Sequence, residues 1–134
     1  MPKFKFNKLC RDKVIDRVME QSPGSKISSH RLNDAEFNEQ IRIKLLEEAQ
    51  EVAVAKDRQE LVSELADLHE VIDALTQIHQ ISKSEIAEIQ AKKRDKRGGF
   101  EGRLFVEIAE HPVGSWGEKY CLADPKKYPE VVEK

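Results

Sequence analysis

The chain has little cysteine. Cys10 and Cys121 are the only two among 134 residues, and they form no CxxC pair. That spacing suggests no structural zinc, and a reduced compartment is the simpler reading for so few thiols. Aromatic residues are 6% of the chain, so a core must be built from aliphatic side chains. No stretch approaches the roughly 20 apolar residues that span a bilayer, and no early apolar run marks a secretory signal. Motifs of the type G-x-S-x-G, G-x-x-x-x-G-K-[ST] and G-x-G-x-x-G are all missing. This argues against an α/β-hydrolase nucleophile, a Walker-type ATPase and a Rossmann dinucleotide site. There is no internal repeat and no low-complexity tract. The expectation is one cytoplasmic domain over residues 1–134, with a core of about 7–100 and an accessory tail of about 101–134.

What the chain does have is charge, 36% of its residues, in an uneven arrangement that a net charge of -2 conceals. Between Glu47 and Asp73 there are nine acidic and two basic residues. Basic groups gather on either side. Lys3, Lys5, Lys8, Arg11 and Lys13 precede the acidic stretch, and Lys92, Lys93, Arg94, Lys96, Arg97 and Arg103 follow it. Acids that hold a cation and bases that hold a polyphosphate would give this distribution. Solvated helix faces are the plainer explanation of composition alone. The acidic centre argues against broad contact with a nucleic-acid backbone.

Hydrophobic spacing predicts four helices. The first covers about Asp12 to Met19 and is stopped by Pro23-Gly24. The second begins at Asn33 or Asp34, either of which can cap it, and runs to about Lys56 with Phe37, Ile41, Leu45 and Val52 in one stripe. The third runs from about Gln59 to His79 on Leu61, Leu65, Leu68, Ile72 and Leu75. The fourth begins at Ser82 or Ser84, carries Ile86 and Ile89, and ends in a basic run at Gly98-Gly99. Residues 22–33 read as a polar loop. Leu104 to Ile108 reads as a short strand or an extended arm, and the tail beyond Pro112 is rich in Gly, Pro and charge. Trp116, Tyr120 and Tyr128 are available to pin that tail. The fold class is all-α: an antiparallel helical bundle, with a short extended C-terminal tail. Three long amphipathic helices leave apolar surface over, so the bundle is expected to be completed by oligomerisation, most simply as a symmetric dimer.

The acids carry the chemistry. Glu48 falls on the apolar stripe of the second helix, between Leu45 and Val52, and Glu51 lies one turn on. Glu64 and Asp67 border the apolar face of the third. A carboxylate on a core-facing side is costly unless it is paired or binds a metal. Singly, each i,i+3 pair is a weak pattern that a solvated face explains well. Together, on helices joined by a short turn, the two pairs can converge on one divalent ion, and magnesium takes about six oxygen ligands. Glu47 and Glu60 are expected on the surface, and His69 and His79 at helix edges. Lys93 and Arg97 share one side of the fourth helix and can meet phosphate oxygens, as can Arg11 and Lys13 near the first.

Three segments bear a family resemblance. E-E-A-Q-E at Glu47–Glu51 followed by E-L-A-D at Glu64–Asp67 is one. N-K-L-C-R-D-K-V at Asn7–Val14 and K-R-G-G-F at Lys96–Phe100 are the others. In these the chain resembles the all-α nucleoside triphosphate pyrophosphohydrolases, the MazG-like and phosphoribosyl-ATP pyrophosphohydrolase-like proteins. The resemblance covers most of residues 7–100. It implies magnesium held by Glu48, Glu51, Glu64 and Asp67. It also implies cleavage of the α–β phosphoanhydride of a nucleoside triphosphate, with Arg11, Lys13, Lys93 or Arg97 near the phosphates. Glu48 or Glu51 is the expected water-activating residue. Dimers or tetramers are implied. The alternatives are a phosphoribosyl-ATP pyrophosphohydrolase, against which the K-L-x-R-D-K opening argues mildly, and a non-catalytic helical regulator that binds metal or nucleotide.

Overall fold

Helix α2 (Asp34–Val54) starts with a reciprocal cap. The Glu36 amide donates to the Asn33 side chain at 2.9 Å, and the Asn33 amide donates to the Glu36 carboxylate at 3.2 Å. Two amides without helical partners are thereby satisfied. After a three-residue break, helix α3 (Arg58–Ile78) starts with Asp57 accepting from the Glu60 amide at 2.8 Å. So short a connection forces two 21-residue helices to lie antiparallel. His79, at the end of α3, hydrogen-bonds Asn38 near the start of α2 at 2.7 Å. Helix α1 (Val14–Gln21) precedes this hairpin, and helix α4 (Lys83–Arg97) follows it.

The structure is a computed structural model and describes residues 1–132. Among them are five α-helices and no strand, so the fold is all-α with an antiparallel helical hairpin at its centre. No helix of the described residues is long and apolar enough to cross a membrane. The chain divides into two compact units, Met1–Lys92 and Lys93–Lys134.

In the first unit the packed pair of helices is α2 and α3. Its centre holds Ile41 of α2 and Val71 of α3, the two buried apolar side chains among the described residues. Leu45, Val52, Leu68, Ile72 and Leu75 are half-buried around them. The expected stripes therefore face one another except at the start of α3, where Leu61 and Leu65 of its stripe stay exposed. Helices α2 and α3 also expose Ile43, Leu46, Val54, Leu61, Val62 and Leu65.

The second unit holds the end of α4, where Gly98 takes a φ of 81° and its amide bonds back to the Arg94 carbonyl at 2.7 Å. A positive φ there suits glycine and stops the helix. Arg94 pairs with Glu101 across that turn. Leu104 to Ile108 forms neither helix nor strand. The tail then differs from a purely extended segment, because it contains helix α5 (Trp116–Leu122). Ser115 caps α5, accepting from the Glu118 amide at 3.3 Å, while Glu118 accepts from the Gly114 amide at 3.1 Å. A side chain at Gly117 would collide with the His111 ring. Trp116 and Tyr120, one turn apart, stack at 5.2 Å, and Tyr120 meets Tyr128 at 5.5 Å. These aromatic rings thus pack on each other within the tail.

Candidate metal centre

The hairpin brings together acids that lie 16 and 19 positions apart in the chain. Glu48 of α2 and Glu64 and Asp67 of α3 each place a carboxylate oxygen within 4.8 Å of the others. All three are half-buried. Among the described residues this is the cluster of acidic, histidine or cysteine side chains able to hold a metal ion. Magnesium sits about 2.1 Å from each oxygen, so neighbouring ligands are about 3 Å apart and opposite ones about 4 Å. Oxygens within 4.8 Å of one another are near enough for side-chain rotation to bring them onto one ion. Hard carboxylate oxygens also suit such a cation. The donor set therefore fits a divalent metal, without singling out magnesium.

The electrostatics agree with that fit. Partial burial pushes the Glu64 carboxyl above its ordinary range, and the charges of Asp67, Glu51, Glu48 and Glu60 push it the same way. A carboxylate repelled from four sides is relieved by a cation. The protein supplies part of the relief itself. Lys44, one turn before Glu48, approaches it at 3.6 Å and reaches Glu47 at 3.5 Å. Arg11 donates to Asp67 at 2.7 Å. Lys8 donates to Glu47 at 3.2 Å. Burial opposes ionisation of Glu47, but the hydrogen bond from Lys8 and the charges of Lys44 and Lys8 prevail and hold its carboxyl below the usual range. In return, the hydrogen bond with Glu47 raises the Lys8 ammonium.

The sequence-derived residues thus separate. Glu48, Glu64 and Asp67 converge. Glu51 is exposed one turn beyond Glu48; it lies close enough to repel Glu64 but outside the triad. Arg11 lies at the acids, bonded to Asp67. Lys13 sits exposed at the start of α1. Lys93 and Arg97 are exposed on the last turns of α4, in the second unit. Glu47 is not a free surface acid, since it is half-buried and held by two lysines. His79 takes the helix-edge position expected of it.

Two features had no clear signal in the sequence. Lys44 lies four residues before Glu48, a spacing that permits an ion pair but does not require one. The other is an open cleft of about 340 Å³ beside the triad, lined by Asp57, Gln59, Glu60, Ser63 and Glu64. It exists because α3 starts with a capping turn that projects polar side chains next to Glu64. No protein-family model, curated protein or solved structure matches the chain. The site itself is an acidic triad on a helical hairpin, able to coordinate a divalent cation.

Proposed function

We propose that the protein is a magnesium-dependent nucleoside triphosphate pyrophosphohydrolase of the all-α, MazG-like kind. It would cleave the α–β phosphoanhydride to give a nucleoside monophosphate and pyrophosphate. The observation that carries this reading is the convergence of Glu48, Glu64 and Asp67 from facing helices. These three would hold the ion, which when bound would neutralise triphosphate charge and polarise a phosphorus–oxygen bond. Glu51 stands outside the triad. A carboxylate not engaged as a tight ligand can orient a water and take its proton, so this role falls to Glu51 rather than Glu48. The Arg11 guanidinium has five donors and directs one at Asp67. Its remaining donors can meet phosphate oxygens and keep the reacting phosphate beside the acids. Lys13, in the same unit as the acids, is a further group for phosphate charge. The cleft at the start of α3 offers carboxylates and a hydroxyl for the hydrogen-bond donors of a base or sugar.

The test is product analysis on a panel of common and modified nucleoside triphosphates and phosphoribosyl-ATP, with and without magnesium. Glu48→Gln and Asp67→Asn proteins run beside it. Magnesium-dependent release of pyrophosphate and a monophosphate, lost in both variants, is the expected result. Turnover of phosphoribosyl-ATP alone would select that narrower activity. Release of orthophosphate would refute cleavage at the α–β bond. No turnover from folded protein that still binds the ion would leave a non-catalytic regulator.

A further inference from the structure

The cations that reach the acidic centre meet it in different ways. Arg11 donates to Asp67 at 2.7 Å, and Lys8 donates to Glu47 at 3.2 Å. Both come from the N-terminal segment, and both are exposed. Lys44 comes from α2 itself, and among the described residues it is the one cation that pairs with Glu48. No cation of the described residues pairs with Glu64. The Lys44 and Glu48 side chains are 16% and 12% exposed, which makes theirs the most enclosed ion pair among the described residues.

Two features show that this lysine acts through its charge rather than through a directed bond. Its 3.6 Å approach to Glu48 is longer than a hydrogen bond. With the lysine four residues before the glutamate, the pair also has the order that contributes less to an isolated helix. A surface staple for α2 is therefore a poor account of it, and so is an orienting contact for Glu48. What remains is a positive charge fixed beside one carboxylate of the triad.

We infer that Lys44 is a built-in counter-ion that holds the affinity of the triad for a free divalent ion low. Without an ion, the half-buried carboxylates repel one another, and Lys44 offsets the charge of Glu48. With an ion, the same ammonium repels it. An ion on the Glu48 oxygen nearest Lys44 would lie about 2.1 Å from that oxygen, so no more than about 6 Å from the ammonium. A unit charge about 6 Å from a divalent ion changes its dissociation constant about tenfold at the dielectric of bulk water, and by more where both groups are half-buried. Lysine and ion therefore compete for one carboxylate. Such a balance favours an ion whose charge is already offset by an anion such as a polyphosphate. The inference rests on the reading of the triad as a metal centre and extends it to the form in which the metal is taken.

The test is Mn²⁺ binding to the full chain at low ionic strength, followed by the electron paramagnetic resonance of the free ion. The unchanged chain is compared with Lys44→Met, Lys44→Arg and Lys92→Met. Lys92→Met removes the same charge from an exposed pair with Glu88 on α4. The dissociation constant should be at least about tenfold lower in Lys44→Met, and unchanged within about threefold in Lys44→Arg and Lys92→Met. Thermal unfolding should show the counterpart. Lys44→Met should have a lower Tm than the unchanged chain in chelator, and saturating magnesium should close most of that gap, because the tighter ion adds more stability. A lysine with a purely structural role would leave the gap the same with and without the ion. Should Lys44→Met be unfolded in chelator, magnesium should restore its helical circular dichroism. Binding in Lys44→Met that is equal to or weaker than in the unchanged chain would overturn the inference and leave the metal centre standing. So would a Tm gap that magnesium does not narrow, or a variant that stays unfolded at saturating magnesium. Absence of Mn²⁺ uptake by every one of these proteins would overturn both.

Discussion

Glu64→Gln is expected to stabilise the metal-free protein at neutral pH and to remove most of its response to magnesium. In the unchanged chain the Glu64 carboxyl lies above its ordinary value of 4.5, through partial burial and then four neighbouring acids. The unfolded chain therefore releases this proton first as pH rises. Stability falls from about pH 4.5 upward until the folded-state group has also ionised. Gln has nothing to ionise, so that downward limb should vanish. Magnesium acts on the same repulsion. At ten times its dissociation constant a ligand bound only to the folded state stabilises it by about 1.4 kcal/mol, and at a hundred times by about 2.7 kcal/mol. For 134 residues the unfolding entropy is about 0.28 kcal/mol/K, which converts these to rises of about 5 and 10 °C in Tm. Thermal unfolding followed by circular dichroism, at matched ionic strength and with chelator as the zero point, reads both effects. The Gln variant should show a higher metal-free Tm and less than half of the magnesium shift. An equal shift in Glu64→Gln and in the unchanged chain would refute the reasoning, because the ion would then be bound elsewhere.

Three further outcomes follow from particular contacts. Arg11→Ala breaks a half-exposed ion pair with Asp67, so stability in urea should change by less than about 1 kcal/mol, while kcat/KM in the proposed hydrolysis of a nucleoside triphosphate should fall at least about tenfold. Lys8→Met leaves Glu47 with burial as its strongest influence, so its carboxyl, followed by carbon-13 NMR, should titrate at higher pH than in the unchanged chain. The stability that the depressed Glu47 contributes above pH 4.5, and loses as pH falls through its folded-state value, should shrink with it. Asn33→Ala removes the reciprocal cap of α2 and should cost about 1 kcal/mol in urea unfolding without changing magnesium affinity.

The helices were legible because their signals are local. Asn33 with Glu36 and Asp57 with Glu60 mark where α2 and α3 begin, and the 3.6-residue stripes mark which side of each packs. Placing Glu48 on the stripe of α2 and Glu64 and Asp67 beside that of α3 was enough to bring the three together. Glu51 was harder to place, since periodicity puts it at the edge of the face and the rotation of one helix against the other decides what reaches the centre. The Lys8–Glu47 and Arg11–Asp67 contacts span 39 and 56 residues and leave no periodic trace. Helix α5 is short, contains Gly117 and follows Pro112, which together hide it. The spacing of Ser115 and Glu118 was the signal that could have revealed its start.

The central claim is that Glu48, Glu64 and Asp67 hold one divalent ion. Electron paramagnetic resonance of free Mn²⁺, titrated with the full chain and then with its Asp67→Asn variant, tests it most directly. The account predicts that the unchanged chain removes one Mn²⁺ per copy from the free pool, that magnesium displaces it, and that Asp67→Asn weakens binding by about tenfold or more. Free Mn²⁺ undiminished by the unchanged chain, or taken up equally by the variant, would contradict it.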